Sequence, residues 1–205
     1  MLNYMNEGGS IMWIIAALSL VALAVAIERL LFFRKASGDA DKLEKELEEI
    51  VSSGDCGHGL SESRSSLAML FYDALSQWDA DGEEIKLIAE ERIRREMYRW
   101  EQHLFIMEMV GKLAPLLGLL GTVLGMVDMF GSLHLDGQIS AEAVTGGIWK
   151  ALYTTVAGLT VAIPTIFVNG LINSRIDGEE EKLERGEDFV LRLHRKSVKN
   201  AAAKN

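Results

Sequence analysis

The chain has 205 residues, of which 49% are hydrophobic and 25% charged, with a net charge of −9 and a mean hydropathy of +0.13. Apolar blocks must alternate with strongly polar ones, so the composition describes a membrane protein with substantial aqueous parts. A single cysteine, Cys56, excludes a disulfide framework within the chain and is expected to be an ordinary surface or buried thiol.

The first apolar block, Ile11 to Ile27, continues through Glu28 and Arg29 to Phe33, and at ~1.5 Å per residue it spans a ~30 Å hydrocarbon core. No Lys or Arg precedes it, whereas Arg29, Arg34 and Lys35 follow, the reverse of the charge order of a cleaved secretory signal. Asp39 to Ser53 predicts a helix, with Leu43, Leu47 and Ile50 at helical spacing, broken by the glycines of Gly54 to Gly59. A second polar-region helix is expected from Arg64 to Trp78, closed by Asp79 to Gly82. A third starts at Glu83, with Ile85, Ile88, Met97, Trp100 and Leu104 on its apolar side. No Gly or Pro interrupts it before Gly111, so it is expected to run into the second membrane span as one rod.

The second span covers 108–133 and the third 146–172, separated by a short loop at 134–145; a helical tail fills 173–205, with Ile176, Leu183 and Val190 seven residues apart and Gly178 and Gly186 weakening it. Residues 1–10 and the loop from Leu133 to Thr145 contain no Lys or Arg, while 34–107 and 173–205 hold nearly all of them. By the positive-inside rule the polar regions are cytoplasmic and the N-terminus outside, giving an all-α membrane protein of three spans with long cytoplasmic helical extensions.

Enzyme chemistry finds little support. His58, His103, His134 and His194 lie far apart without metal-ligand spacing, and no phosphate-binding glycine loop follows a strand; no metal or cofactor is expected. Arg92, Arg94, Arg95 and Arg99 form a basic cluster, but Glu90, Glu91, Glu96 and Glu101 interleave with them, so a solvated, ion-paired face is expected and not a nucleic-acid surface.

The membrane stripes hold the positive signal. On a 3.6-residue period Ala114, Gly118, Gly121, Thr122 and Gly125 share one side of the second span, and Ala151, Thr155, Gly158 and Ala162 one side of the third. Such stripes either pack two helices closely or leave a thin polar path between copies. Thr122, Thr154, Thr155 and Thr160 either line that path or bond their own helix carbonyls. Pro115 and Pro164 both fall inside spans and are expected to be kink or packing positions in continuous helix, with hydroxyls such as that of Thr160 satisfying freed carbonyls.

Ala114 to Val123 and Gly147 to Leu159 resemble the two signature spans of the ExbB/TolQ/MotA proton-channel family, most closely its ExbB branch, and Glu28-Arg29-Leu30-Leu31, the topology and the length extend the resemblance over essentially the whole chain. The resemblance implies a homo-oligomeric ring, a pentamer, in the bacterial inner membrane. It would surround an ExbD-like single-span partner and pass work to a TonB-like protein; a TolQ-type subunit or a non-conducting scaffold are the alternatives. It also places pore threonines at Thr122 and Thr155, among the lining positions Gly118, Gly121, Gly125, Ala151, Gly158 and Ala162. The family commonly has Glu where this chain has Lys150 and Thr where it has Asp128.

No acidic or basic side chain lies between Leu113 and Val127 or between Ala151 and Ser174. A threonine hydroxyl relays hydrogen bonds but holds no charge, so the titrating carboxylate must come from a partner helix. With Thr122 and Thr155 level, as the resemblance implies, Asp128 and Lys150 lie about 9 Å and 7.5 Å outward at ~1.5 Å per residue, and an ion pair between them is expected.

Overall fold

The computed structural model describes residues 9–36, 40–53, 59–60, 65–136 and 141–202, with the side chains of 34–36, 132–136, 141–144, 150 and 201–202 outside the description. The Gly54–Gly59 break and Cys56 thus lie outside the described residues, apart from Gly59. The elements are α1 (Gly9–Ala36), α2 (Ala40–Ser53), α3 (Ser66–Ser76), α4 (Gly82–Glu101), α5 (Leu104–Asp136) and α6 (Ala141–Ala202), and no strand occurs among the described residues. Three helical stretches are long and apolar enough to cross a membrane, and the protein is of the all-α membrane class.

The chain divides into two units, Met1–Arg29 with His103–Leu171, and Leu30–Gln102 with Ile172–Asn205. The first unit holds the apolar stretches. Leu20, Leu23 and Leu31 of α1 point away from the protein while Ile11, Ile15, Ala22 and Val25 are buried at three-, four- and seven-residue intervals, the stripe of a helix packed on one side. Pro115 lies inside α5 and Pro164 inside α6, both in continuous helix.

The second unit has a helical core of its own. Leu43, Leu47 and Ile50 of α2, Leu67, Leu70 and Phe71 of α3, and Ile85, Ala89 and Trp100 of α4 are buried. Ile176, Leu183 and Val190 of α6 join them at 3, 1 and 0% exposure, so the seven-residue spacing marks a core face. Gly186 has a packing role in this helix. Its missing side chain is where Leu67 Cδ1 sits, with Phe71 Cε1 at 3.3 Å from where a Cβ would stand.

Asp81 starts α4 by accepting the Gly82 N–H at 2.7 Å, and Glu83, Glu84 and Arg99 sit at the helix ends their charges favour. The expected solvated face of α4 is half right. Glu91–Arg95 and Lys86–Glu90 are exposed four-residue pairs, but Glu96 is buried at 2% exposure. Its carboxylate accepts from Arg99 Nη1 at 3.0 and 3.1 Å and from Ser66 Oγ at 3.1 Å, with Arg92 Nη1 at 3.6 Å; Arg92 Nε in turn bonds Asp73 at 2.6 Å. A buried charge survives only where donors surround it, and α3 and α4 supply them.

Nearby, burial holds the Glu187 carboxyl above its ordinary value of 4.5, and Glu90 pushes it further up while Lys86 opposes this. A raised folded-state value means this group's contribution is intact below the unfolded value and is lost as pH climbs through the folded one. Glu187→Gln should therefore raise the thermal midpoint of the full chain at pH 7 by on the order of 1–2 °C, allowing for solvent screening. At pH 4 the difference should vanish; an equal gain at both values would assign the effect to packing.

The expected rod from α4 into α5 does not form. The helix stops at Glu101 and restarts at Leu104, with His103 at φ 67°. Histidine tolerates the left-handed region better than bulky residues do, and here its ring is tied down. Nδ1 lies 3.2 Å from Glu28 Oε2 and 3.2 Å from Arg29 Nη2, and Arg29, 3% exposed, also bonds Glu28 at 2.9 Å. These bonds from α1 favour the break that no Gly or Pro announces.

Candidate functional site

In the first unit α5 and α6 run antiparallel along a seam built from small residues. Gly118 lies against Thr154 O and Thr155 Cα, where a Cβ would come within 2.9 and 3.1 Å, and a Cβ on Gly121 would stand 2.6 Å from Thr154 Cβ. A Cβ on Gly125 would stand 3.2 Å from Ala151 Cβ, and one on Gly158 would overlap the Ala114 carbonyl oxygen. Ala114, Gly118, Gly121, Gly125, Ala151, Gly158 and Ala162 are all buried. Six of the positions expected to line a pore thus serve helix contact within one chain. This is the close backbone approach that small residues permit where lipid offers no hydrophobic drive.

The threonines divide between seam and flank. Thr154, 1% exposed, fills the notch left by Gly121, its hydroxyl donating to Ala151 O at 2.8 Å. Thr122 donates to Leu119 O at 2.6 Å and Thr160 to Val156 O at 2.8 Å, each within its own helix. Thr160 is therefore not spending its hydroxyl on the carbonyl that Pro164 frees, which is its own. Thr155 alone of the four crosses without an own-helix bond, donating to Gly118 O at 3.2 Å.

Thr122 and Thr155 share a face. At ~100° per residue each lies about 60° off the seam's centre, and because the helices are antiparallel both offsets turn to the same side of the pair. Around them on that side stand Leu119, Leu152, Leu159 and Ile166, 44 to 59% exposed. The chain's own first helix does not cover this side. Ser19, Ala22 and Ala26 of α1 and Val161, Pro164 and Val168 of α6 border a cavity of about 220 Å³, and those α6 residues centre about 140° away from Thr155. What remains is an uncovered apolar face whose mid-depth polar groups are two hydroxyls.

The remaining expected residues fall less neatly. Asp128 is exposed on α5, and its proposed partner Lys150 has its side chain outside the described residues. No group of three or more His, Cys, Asp or Glu that could hold a metal ion gathers among the described residues. Two features lie off the expected stripes. Thr154 acts as the seam's knob, and Glu108 and Lys112 form an exposed ion pair at the start of α5, invisible to an argument confined to uncharged stretches.

Comparison with known proteins adds the following. The model of the MotA/TolQ/ExbB proton channel family matches residues 62–185. The ExbB-like 3 protein of Synechocystis sp., a biopolymer transport protein by name, is 31% identical over 172 residues, 82% of each chain. The biopolymer transport protein exbB1 of Vibrio cholerae is 34% identical over 99 residues, 48% of this chain and 43% of its own length. The ExbB homolog of Methanothermobacter thermautotrophicus is 29% identical over 187 residues, 89% of this chain and 66% of its own.

Proposed function

The chain belongs to the MotA/TolQ/ExbB proton channel family, and from that premise we propose that it is the ring-forming subunit of an ExbB–ExbD-type motor in the bacterial inner membrane. Proton entry through the ring would drive a TonB-like transducer of outer-membrane transport. One observation carries the reading: the face that presents Thr122 and Thr155 amid exposed leucines is left open by the chain's own α1. A monomer would turn that face to lipid. In a closed ring, a pentamer, it faces the axis, and the small seam behind it sets the spacing of α5 and α6. Thr122 and Thr155 then lend hydroxyls to a water chain, and a single-span partner inside the ring supplies the carboxylate that titrates. The distribution of Lys and Arg supports an orientation with the N-terminus outside and the second unit in the cytoplasm.

The test is reconstitution of the ring with its copurified single-span partner in liposomes enclosing a pH dye. Intact-complex mass should give five copies. Thr122→Val with Thr155→Val should lower proton flux roughly tenfold or more while leaving that mass unchanged. A monomeric or dimeric particle, or a double variant conducting like the wild type, overturns the reading.

A further inference from the structure

The lining face has an inner end that the threonines do not explain. Glu108 lies 14 residues before Thr122, four turns and about 21 Å inward, and at ~100° per residue it points within about 40° of the same direction. It is half exposed and paired with Lys112, four residues on. The seam fixes what lies level with it on α6. Gly111 packs on Ile166, where a Cβ would stand 2.8 Å from Ile166 Cγ1; three residues inward of each come Glu108 and Asn169. Asn169 stands 14 residues after Thr155, as Glu108 stands 14 before Thr122. Its Oδ1 is buried and finds no hydrogen-bond partner among the described residues. An amide oxygen kept from water without a donor is costly in an apolar setting, so its place at this level calls for a donor that the described residues do not supply.

Between Thr122 and this level the two helices hold no other acidic side chain. A proton coming down a dry face needs a base where the face meets water, because hydroxyls pass a proton along but do not keep it. Resting on the channel reading above, we infer that Glu108 is the group that takes up the proton at the inner end of the path, with Asn169 ordering the last water before it. The exchange balances simply. A hydronium at the end of the water chain gives its proton to a Glu108 carboxylate oxygen, leaving water and a neutral acid, and the acid then loses the same proton to cytoplasmic water. Lys112 positions the carboxylate by its ion pair. The other ionisable groups at this end of the unit, Glu28, Arg29 and His103, are bonded to one another.

The experiment compares wild-type, E108Q, E108D, E108H and E101Q rings, each with its partner, in the dye-loaded liposomes across internal pH 5.5 to 8. E108Q should conduct roughly tenfold less than wild type. E108D should retain conduction, and E108H should conduct with its profile moved toward neutral pH, a shift that a structural role would not produce. E101Q, on an exposed residue of α4, should match wild type. Normal conduction by E108Q in rings that Thr122→Val with Thr155→Val silences would overturn this inference alone. A wild-type ring that passes no protons would sink the channel reading and this inference with it. Failure of both E108Q and E108D to form rings would make Glu108 structural and also overturn it.

Discussion

Gly158→Ala should destabilise α5–α6 packing by about 3 kcal/mol, at the upper end of overpacking costs. The added methyl overlaps the Ala114 carbonyl oxygen and lies close to Gly118 Cα, at 3.2 Å. Both are backbone atoms, which no rotamer change can move. Gly121→Ala meets a side chain instead, Thr154, but at its Cβ, so rotation brings no relief. Thr154→Gly should rescue Gly121→Ala in part and leave Gly158→Ala untouched. Gly131 and Gly170 have nothing within 4 Å of an added Cβ, and alanine there should be neutral or favourable by up to ~1 kcal/mol. Thermal midpoints of the detergent-solubilised protein would show the order. A Gly158→Ala protein as stable as Gly170→Ala would mean the two helices are not in contact at this point.

Glu96→Ala should be nearly as damaging in the second unit, costing roughly 3 kcal/mol and lowering the midpoint by about 6–10 °C. The loss is less of an attraction than of a solution to a burial problem. Without the carboxylate, Ser66 Oγ loses its acceptor, and Arg92, 15% exposed, is left with Asp73 among the described residues. Glu96→Gln, which still accepts a hydrogen bond, should cost about half as much. Replacing Arg92 and Glu96 together by Met and Leu should cost less than Glu96→Ala alone, because no charge is then stranded. Faster hydrogen exchange confined to α3 and α4 would locate the effect. Additive costs in the double replacement would show that the two groups do not depend on each other.

The parts of the fold that follow from period and length were legible in the residues. Leu43, Leu47 and Ile50 mark the buried face of α2, and Ile176, Leu183 and Val190 that of the tail, because an apolar repeat is already a statement about burial. What stayed hidden depends on a second element. His103 breaks a helix because Glu28 and Arg29 meet its ring, and no local signal in Gln102-His103-Leu104 says so. Glu96 is charged, and charge alone argues for solvent until Ser66 and Arg92 are seen around it. The stripes were located correctly, but grouping Thr122 and Thr155 with the glycines joined two directions about 60° apart. One direction is spent on holding α5 to α6, and the other on the open face.

The seam also has a genetic side. No amino acid is smaller than glycine, and every single-base change of a glycine codon that alters the residue adds a side chain or stops the chain. At Gly118, Gly121 and Gly158 descent can therefore move in one direction only, into backbone or a fixed Cβ. Ala114 and Ala151 across the seam can still exchange with glycine. A lineage that loses one of these three glycines restores the contact only by returning to glycine at that position or by opening room on the facing helix.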